Sequence, residues 1–273
     1  VVLVNAPVIT LTTDFGLRDP YVGIMKGVIL GISPDVKLVD LCHDIRPQAV
    51  RQGAFLIGVS FRFFPRETIH VVVIDPGVGT SRRALLLVTP EGRFLAPDNG
   101  TLSYVLHRYE GPSSPSEGLP SVCKAYALTD QRYWLHPVSS TFQGRDIFAP
   151  VAAHLSLGVP PEEFGPPIPS MVRIPLQLPR WVEGVLEGHI AHVDRFGNLV
   201  TDIPAAEIAN ARHVVVDVGP CHIDGLASAY AEAEGLLAIV GGLGYLEVSA
   251  RDGSAAEQLG MGIGDTVRVS IRE

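Results

Sequence analysis

A change of rhythm near Trp181 constrains this chain more than any other feature. Before it, short β-branched runs alternate with helical stretches. Val8–Thr12 and Lys37–Leu41 read as strands, and Thr68–Ile74 is a continuous β-branched run that predicts a strand buried on both faces. Tyr21–Ile32 carries Val22, Met25 and Ile29 at helical spacing, and Gln48–Phe61 carries Val50, Ala54, Ile57 and Phe61. Ala84–Thr89 and Arg93–Leu95 predict a hairpin around Pro90-Glu91-Gly92, and further helices are expected to begin in Gly100–Leu106 and to span Phe148–Leu157. Such alternation predicts an α/β layered domain with a central, mostly parallel sheet. After Trp181, Gly184–Val193, His213–Val218, Leu236–Val240, Gly244–Val248 and Thr266–Ile271 read as short strands, with one short helix at Ala227–Ala233. That pattern predicts a small β-barrel or sandwich. Glu110–Pro120 reads as a surface loop, and Gly158–Pro169 is proline-dense. The expected organisation is an N-terminal α/β domain over 1–170, a linker over 171–180 and a C-terminal β domain over 181–273.

Composition narrows the function classes. With 47% hydrophobic and 18% charged residues in 273, the chain can bury a large core and is not a disordered polymer. Its formal net charge of −8 argues against a nucleic-acid binder and mildly favours a cationic small molecule. Cys42, Cys123 and Cys221 are far apart and form no CxxC pair, so neither a disulfide framework nor a thiolate zinc site is expected, and a reducing cytoplasm is. No apolar run approaches the ~20 residues that span a bilayer. The opening stretch, beginning at Val1, lacks the basic region of a signal peptide.

Polar residues gather at the ends of the predicted strands. Asp14 follows the first strand, Asp75 the third, and Asp98-Asn99 the hairpin. Ligands of open α/β sheets bind beyond the carboxyl ends of strands, so Asp14 and Asp75 are expected at one crevice, although aspartates also mark ordinary turns and caps. In Asp75-Pro-Gly-Val-Gly79 the glycines permit close backbone approach, and Arg82 is near enough to fold back and pair with Asp75. Such a carboxylate orients a water or hydroxyl but is a weak base; a plain structural salt bridge is the other reading. Arg145-Asp146 stands at a helix start, where it fits either anion capture or N-capping. Phe196 and Asn198, in the turn Asp194–Asn198, suit ring stacking and base-edge reading, or simply a turn. His43, beside Asp44, fits a site residue or, more simply, a satisfied histidine. No GxGxxG, Walker A, HExxH or GxSxG pattern is present.

Taken in order, Thr13-Asp-Phe-Gly16, Lys26-Gly27, Asp75-Pro-Gly-Val-Gly79 with Arg82-Arg83, Pro97-Asp-Asn-Gly100, Thr141-Phe through Gly144-Arg-Asp146, and Asp194 through Phe196-Gly-Asn198 resemble the S-adenosyl-L-methionine hydrolases. These are also called SAM hydroxide adenosyltransferases and are relatives of the fluorinase and chlorinase. The resemblance runs over nearly the whole chain. It implies an N-terminal α/β domain, a C-terminal β-barrel, and a homotrimer with the substrate between subunits. It implies water attack at the ribose C5′, giving adenosine and L-methionine with no metal or redox cofactor. By the same resemblance Asp14 holds the ribose hydroxyls, and Asp75 and Arg82 belong to an Asp-Arg-His set that handles the water. Asn198 reads the adenine with Phe196 beside it, and Asp194 binds the methionine ammonium. Asp19, Tyr21 and Asn99 line the same cleft, and Gly242 and Tyr245 stand at the carboxylate end.

The chain also departs from the family pattern. Gln143 replaces the usual histidine of TFHGRD. Glutamine holds a water but relays no proton, so turnover is expected to be slow, or binding to occur without turnover. Gly242 supplies an amide where a serine-containing stretch is usual, and Gln48 stands where the fluorinase has tryptophan. In the fluorinase a tyrosine replaces Asp75 and a fluoride-holding serine replaces Gly144. A carboxylate at the nucleophile site repels a halide, so water is the expected nucleophile.

Overall fold

The computed structural model describes residues 6–111 and 118–272. The start of the chain and the centre of the expected loop Glu110–Pro120 lie outside the described residues. The chain divides into two compact units, 1–174 and 175–273.

Unit one is built on a seven-stranded mixed sheet. Its strands are β1 (Val8–Thr13), β2 (Lys37–Cys42), β3 (Ile69–Val73), β4 (Ala84–Thr89), β5 (Gly92–Pro97), β6 (Lys124–Ala127) and β7 (Pro167–Ile168), in the order β2-β1-β3-β5-β4-β6-β7. β2, β1, β3 and β5 run parallel, and the pairings from β5 through β4 and β6 to β7 are antiparallel. The helices are α1 (Tyr21–Ile32), α2 (Val50–Ser60), α3 (Ser103–His107) and α4 (Ala149–Ser156). Alternation within the strands divides the core in two. Ile69, Val71 and Val73 pack with Met25 and Ile29 of α1 and with Val151 of α4. Val72 and Ile74 pack on the other side with Ile57 of α2 and Val105 of α3. A strand covered on both faces is buried at every position, which accounts for the near-continuous β-branched run before Asp75, broken only by the buried His70.

Two local expectations in this unit need correction. β6 and β7 are strands that periodicity did not reveal, because each is too short to show a pattern. The helix expected from Phe148 begins one residue later and is preceded by a wide π-type turn, Gly144–Phe148. Asp146 is fully buried there, and its carboxylate accepts the Ser139 N–H at 2.7 Å and the Arg145 Nε at 2.6 Å. It therefore ties down the preceding loop, which favours the structural reading over anion capture at this point.

Unit two is an almost entirely antiparallel, barrel-like sheet. Its strands are β8 (Arg180–Val182), β9 (Val185–Val193), β10 (Leu199–Pro204), β11 (His213–Val218), β12 (Cys221–Asp224), β13 (Leu236–Val240), β14 (Tyr245–Ala250) and β15 (Thr266–Arg272). Leu186, Ile190, Ile203, Val216, Leu246 and Val269 fill its core. The segment Ala227–Ala233 is not the expected helix. Ala227 bridges to Ile239, the Ser228 N–H and hydroxyl both donate to the Glu232 carboxylate, and only Tyr230–Glu232 makes a 3₁₀ turn. These local ties hold the segment in a conformation that competes with a helix. Two short helices that were not expected, α5 (Ala205–Ile208) and α6 (Ala255–Leu259), follow β10 and β14.

Candidate active site

In unit one, strand register brings the candidate aspartates to one edge. Thr13 of β1 pairs with Val73 of β3, so Asp14 and Asp75 leave neighbouring parallel strands at the same end. Asn99 follows β5, the next strand, and its side-chain amide donates to the Ile74 carbonyl at 2.8 Å. Its amide oxygen accepts the Thr101 N–H at 3.1 Å, so Asn99 acts as a bracket between strand ends. The register thus places the strand-end aspartates at one carboxyl edge of the sheet.

The Asp75 and Arg82 side chains are only 5% and 11% exposed and form a two-pronged ion pair. Arg82 Nε donates to Asp75 Oδ1 at 2.9 Å, and the terminal nitrogen donates to Oδ2. That same nitrogen also donates to Gln143 Oε1, from 61 residues away in sequence. The guanidinium thus fixes the direction of the carboxylate and of the amide together. The loop between Asp75 and Arg82 is shaped by Gly79, whose φ of +79° suits glycine, and a Cβ there would stand 2.5 Å from the Ser140 carbonyl oxygen. Loop and Gln143 segment are consequently in direct contact. A cavity of about 210 Å³ adjoins Arg82 and Gln143 and is lined also by Trp134 and Ile147.

Asp14 is half-buried, and its Oδ2 accepts the Gln48 N–H at 2.7 Å. Beside it, Phe15, Tyr21 and Phe142 form an edge-to-face aromatic trio with centroids 5.3–6.0 Å apart. Tyr21 opens α1 and is 46% exposed, and Asp19 lies exposed in the preceding turn. Gly144 is buried within this cluster. A Cβ on it would meet Met25 Sδ at 3.2 Å.

In unit two, Asp194, Phe196 and Asn198 line a groove of about 920 Å³ together with Tyr230, Arg251 and Ser254. Asp194 shapes the turn: Oδ1 accepts the N–H groups of Phe196 and Asn198, both at 2.9 Å, and Oδ2 accepts the Asn198 side-chain amide at 2.9 Å. The turn leaves Phe196 77% exposed and Asn198 buried. Gly197, at φ +81°, lies against Ser254, where a Cβ would come within 2.0 Å of the hydroxyl oxygen. Gly242 lies in the hairpin turn between β13 and β14 and Tyr245 opens β14, and neither lines this groove.

Tyr230, Arg251 and Ser254 were missed by sequence reasoning. The Tyr230 hydroxyl donates to the buried Glu247 at 2.8 Å, and burial with that carboxylate pushes the phenol up to about 12. Ser254 caps α6 by accepting the Glu257 N–H at 3.1 Å. The Ser254-x-x-Glu257 spacing is a capping signature, so this one was detectable. Among the described residues no three His, Cys, Asp or Glu side chains converge to hold a metal ion, and no helix is long and apolar enough to cross a membrane.

Comparison with known proteins covers both units. The family descriptions "SAM hydroxide adenosyltransferase N-terminal domain" and "SAM hydroxide adenosyltransferase C-terminal domain" match residues 9–165 and 188–268. The "(R)-S-adenosyl-L-methionine hydrolase" of Thermus thermophilus is 38% identical, over 94% of this chain and 97% of its own length. The protein of that name from Salinispora tropica is 35% identical, over 97% and 98%. Proteins named "Fluorinase" match at 26–28%. A crystal structure of an uncharacterized conserved protein from Thermotoga maritima superposes with a TM-score of 0.87 at 32% identity, covering 96% of this chain and 99% of the other.

Proposed function

The chain belongs to the SAM hydroxide adenosyltransferase family, and from that premise we propose that it hydrolyses S-adenosyl-L-methionine to adenosine and L-methionine. The observation that carries this reading is the clamped set of Asp75, Arg82 and Gln143 at the carboxyl edge of the sheet. Both oxygens of this carboxylate are held by the guanidinium, so its direction is fixed and its work is orientation. Asp75 accepts a hydrogen bond from one water and directs its lone pair at C5′. The C–O bond forms as the C–S⁺ bond breaks, methionine leaves as a neutral thioether, and the excess proton passes to solvent. Positioning of this kind supplies much of a displacement barrier. Gln143 holds the water without relaying its proton, which attenuates turnover relative to the family histidine.

In the same reading Asp14 takes the ribose hydroxyls, with Asp19, Tyr21 and Asn99 lining that side of the cleft. Asn198 and Phe196 take the adenine, Asp194 the ammonium, and Gly242 and Tyr245 the carboxylate end. S-adenosyl-L-methionine and water are the small molecules this scheme requires. We propose the R sulfonium epimer, after the names of the hydrolase relatives. We further propose a cytoplasmic homotrimer with the site at the subunit interface. Three free cysteines support the compartment, and the exposed apolar side chains Leu17, Tyr21, Ile24 and Leu30 support a face covered by another copy.

Incubation with S-adenosyl-L-methionine in ¹⁸O-water is the test. Adenosine labelled at its 5′ oxygen is expected, with faster release from Gln143→His. Production only by the histidine variant would favour binding without turnover, the reading that Gln143 motivates. Absence of adenosine from both proteins would remove the hydrolase reading. Consumption that requires halide would point to a halogenase, which the Asp75 carboxylate opposes.

A further inference from the structure

His43 and Lys26 are singled out by the sequence but take no part in the chemistry above. They are joined by an unbroken hydrogen-bond chain that ends beside Asp14. Lys26 Nζ donates to Asp40 Oδ2 at 2.6 Å, and Asp40 Oδ1 lies 3.0 Å from His43 Nε2. His43 Nδ1 lies 2.8 Å from Thr13 Oγ1, and that oxygen accepts the Phe15 N–H at 3.2 Å. His43 is 4% exposed and Thr13 is fully buried, so neither is satisfied by bulk water. The partners suit one proton arrangement. Asp40 is an acceptor, which places a hydrogen on Nε2. In the neutral ring Nδ1 then accepts from the Thr13 hydroxyl. This turns a Thr13 lone pair towards the Phe15 N–H. The His43 carbonyl meanwhile accepts the Gly16 N–H at 2.8 Å. Two peptide N–H groups directly after Asp14 are thus tied to His43, one through Thr13 and one through the backbone.

We propose that His43 is a positioning residue for ribose recognition: through Thr13 it locks the backbone turn that presents Asp14 to the 2′,3′-diol. The inference rests on the ribose role given to Asp14 above. A carboxylate accepts two hydroxyl hydrogen bonds at once only when its plane is held to the diol, and a loosened turn loses that match while leaving adenine contacts untouched. The chain also explains why a histidine belongs in a buried position otherwise suited to an apolar side chain.

Calorimetric titration with adenosine and with 2′,3′-dideoxyadenosine tests this. The unaltered protein is expected to prefer adenosine by about 100-fold, as two hydrogen bonds to a charged acceptor allow. Thr13→Val, which keeps shape and removes the hydroxyl, and His43→Leu should each cut that preference to about tenfold, with dideoxyadenosine affinity within about twofold. Thr13→Ser should restore it. The double variant should be no worse than either single one, because both break one chain. In turnover of S-adenosyl-L-methionine, KM should rise about tenfold with kcat changed less than about threefold. An undiminished preference in Thr13→Val and His43→Leu, or equal loss for both nucleosides, would overturn the role of His43 alone. An unaltered protein that binds both nucleosides equally would instead remove the ribose role from Asp14, and this proposal with it.

Discussion

In unit one the candidate catalytic pair is buried and bonded to itself and to Gln143, with Asp75 and Arg82 side chains 5% and 11% exposed. In unit two the corresponding candidate surface is a turn whose own hydrogen bonds hold Phe196 out to solvent, at 77% exposed. The contrast separates two tasks. Orientation of a reacting group requires a polar contact fixed before substrate arrives, away from competing water. Recognition of a flat ring requires an open apolar face on a rigid support.

Substitutions can break this contrast, and Asp75→Ala should have the largest effect. Turnover should fall about 10³-fold while adenosine affinity changes little, measured by chromatography and calorimetry together. Equal loss of both would make Asp75 a structural residue and erase the distinction between the units. Gly197→Ala strikes the support of the recognition surface. The positive φ and the Ser254 hydroxyl in the way should destabilise the protein by about 3 kcal/mol, read from denaturant unfolding.

A pH experiment sharpens the comparison from the side of unit one. His70 is fully buried, accepts or donates one hydrogen bond with Thr10 at 2.8 Å, and burial holds its imidazole down to about 3. The unfolded chain takes up a proton near pH 6.5 that the folded chain refuses until about 3. Stability is therefore lost as pH falls through that window, by about 2 kcal/mol between 6.5 and 5. His70→Gln should flatten this slope, and an unchanged slope would show that His70 is protonated in the fold. The smallest effect expected is that of Phe196→Ala. Removing one stacking face should weaken adenosine binding about fivefold with no change in melting temperature, because the side chain is exposed.

Much of this architecture was legible in the sequence, for reasons that also explain the gaps. The α1 helix, Tyr21–Ile32, has the bounds its apolar stripe predicts, since only one face is buried. β10 was missed because Leu199, Val200, Thr201, Asp202 and Ile203 are all buried, which erases period-two alternation and places a carboxylate in the interior. The Ala227–Ala233 segment is rich in helix formers, yet side-chain bonds to Glu232 and a bridge to β13 decide its shape. At the candidate site, the strand-end aspartates could be located by topology. The Arg82–Gln143 bond could not, because it joins groups 61 residues apart and no local spacing encodes it. The Thr13–His43–Asp40 chain escaped for the same reason: each residue looks ordinary until β1 and β2 lie side by side.

The packing around Gly144 sets how this aromatic corner responds to added atoms. A serine at this position places its Cβ 3.2 Å from the sulfur of the fully buried Met25, so that neighbour must yield by a few tenths of an ångström. The atom in the way is the thioether of a flexible side chain and not backbone, and methionine adapts to such shifts more readily than a branched residue does. The corner where α1 meets the Gly144 turn is therefore held by one deformable contact, and a single added methylene or hydroxyl there is borne by Met25 alone.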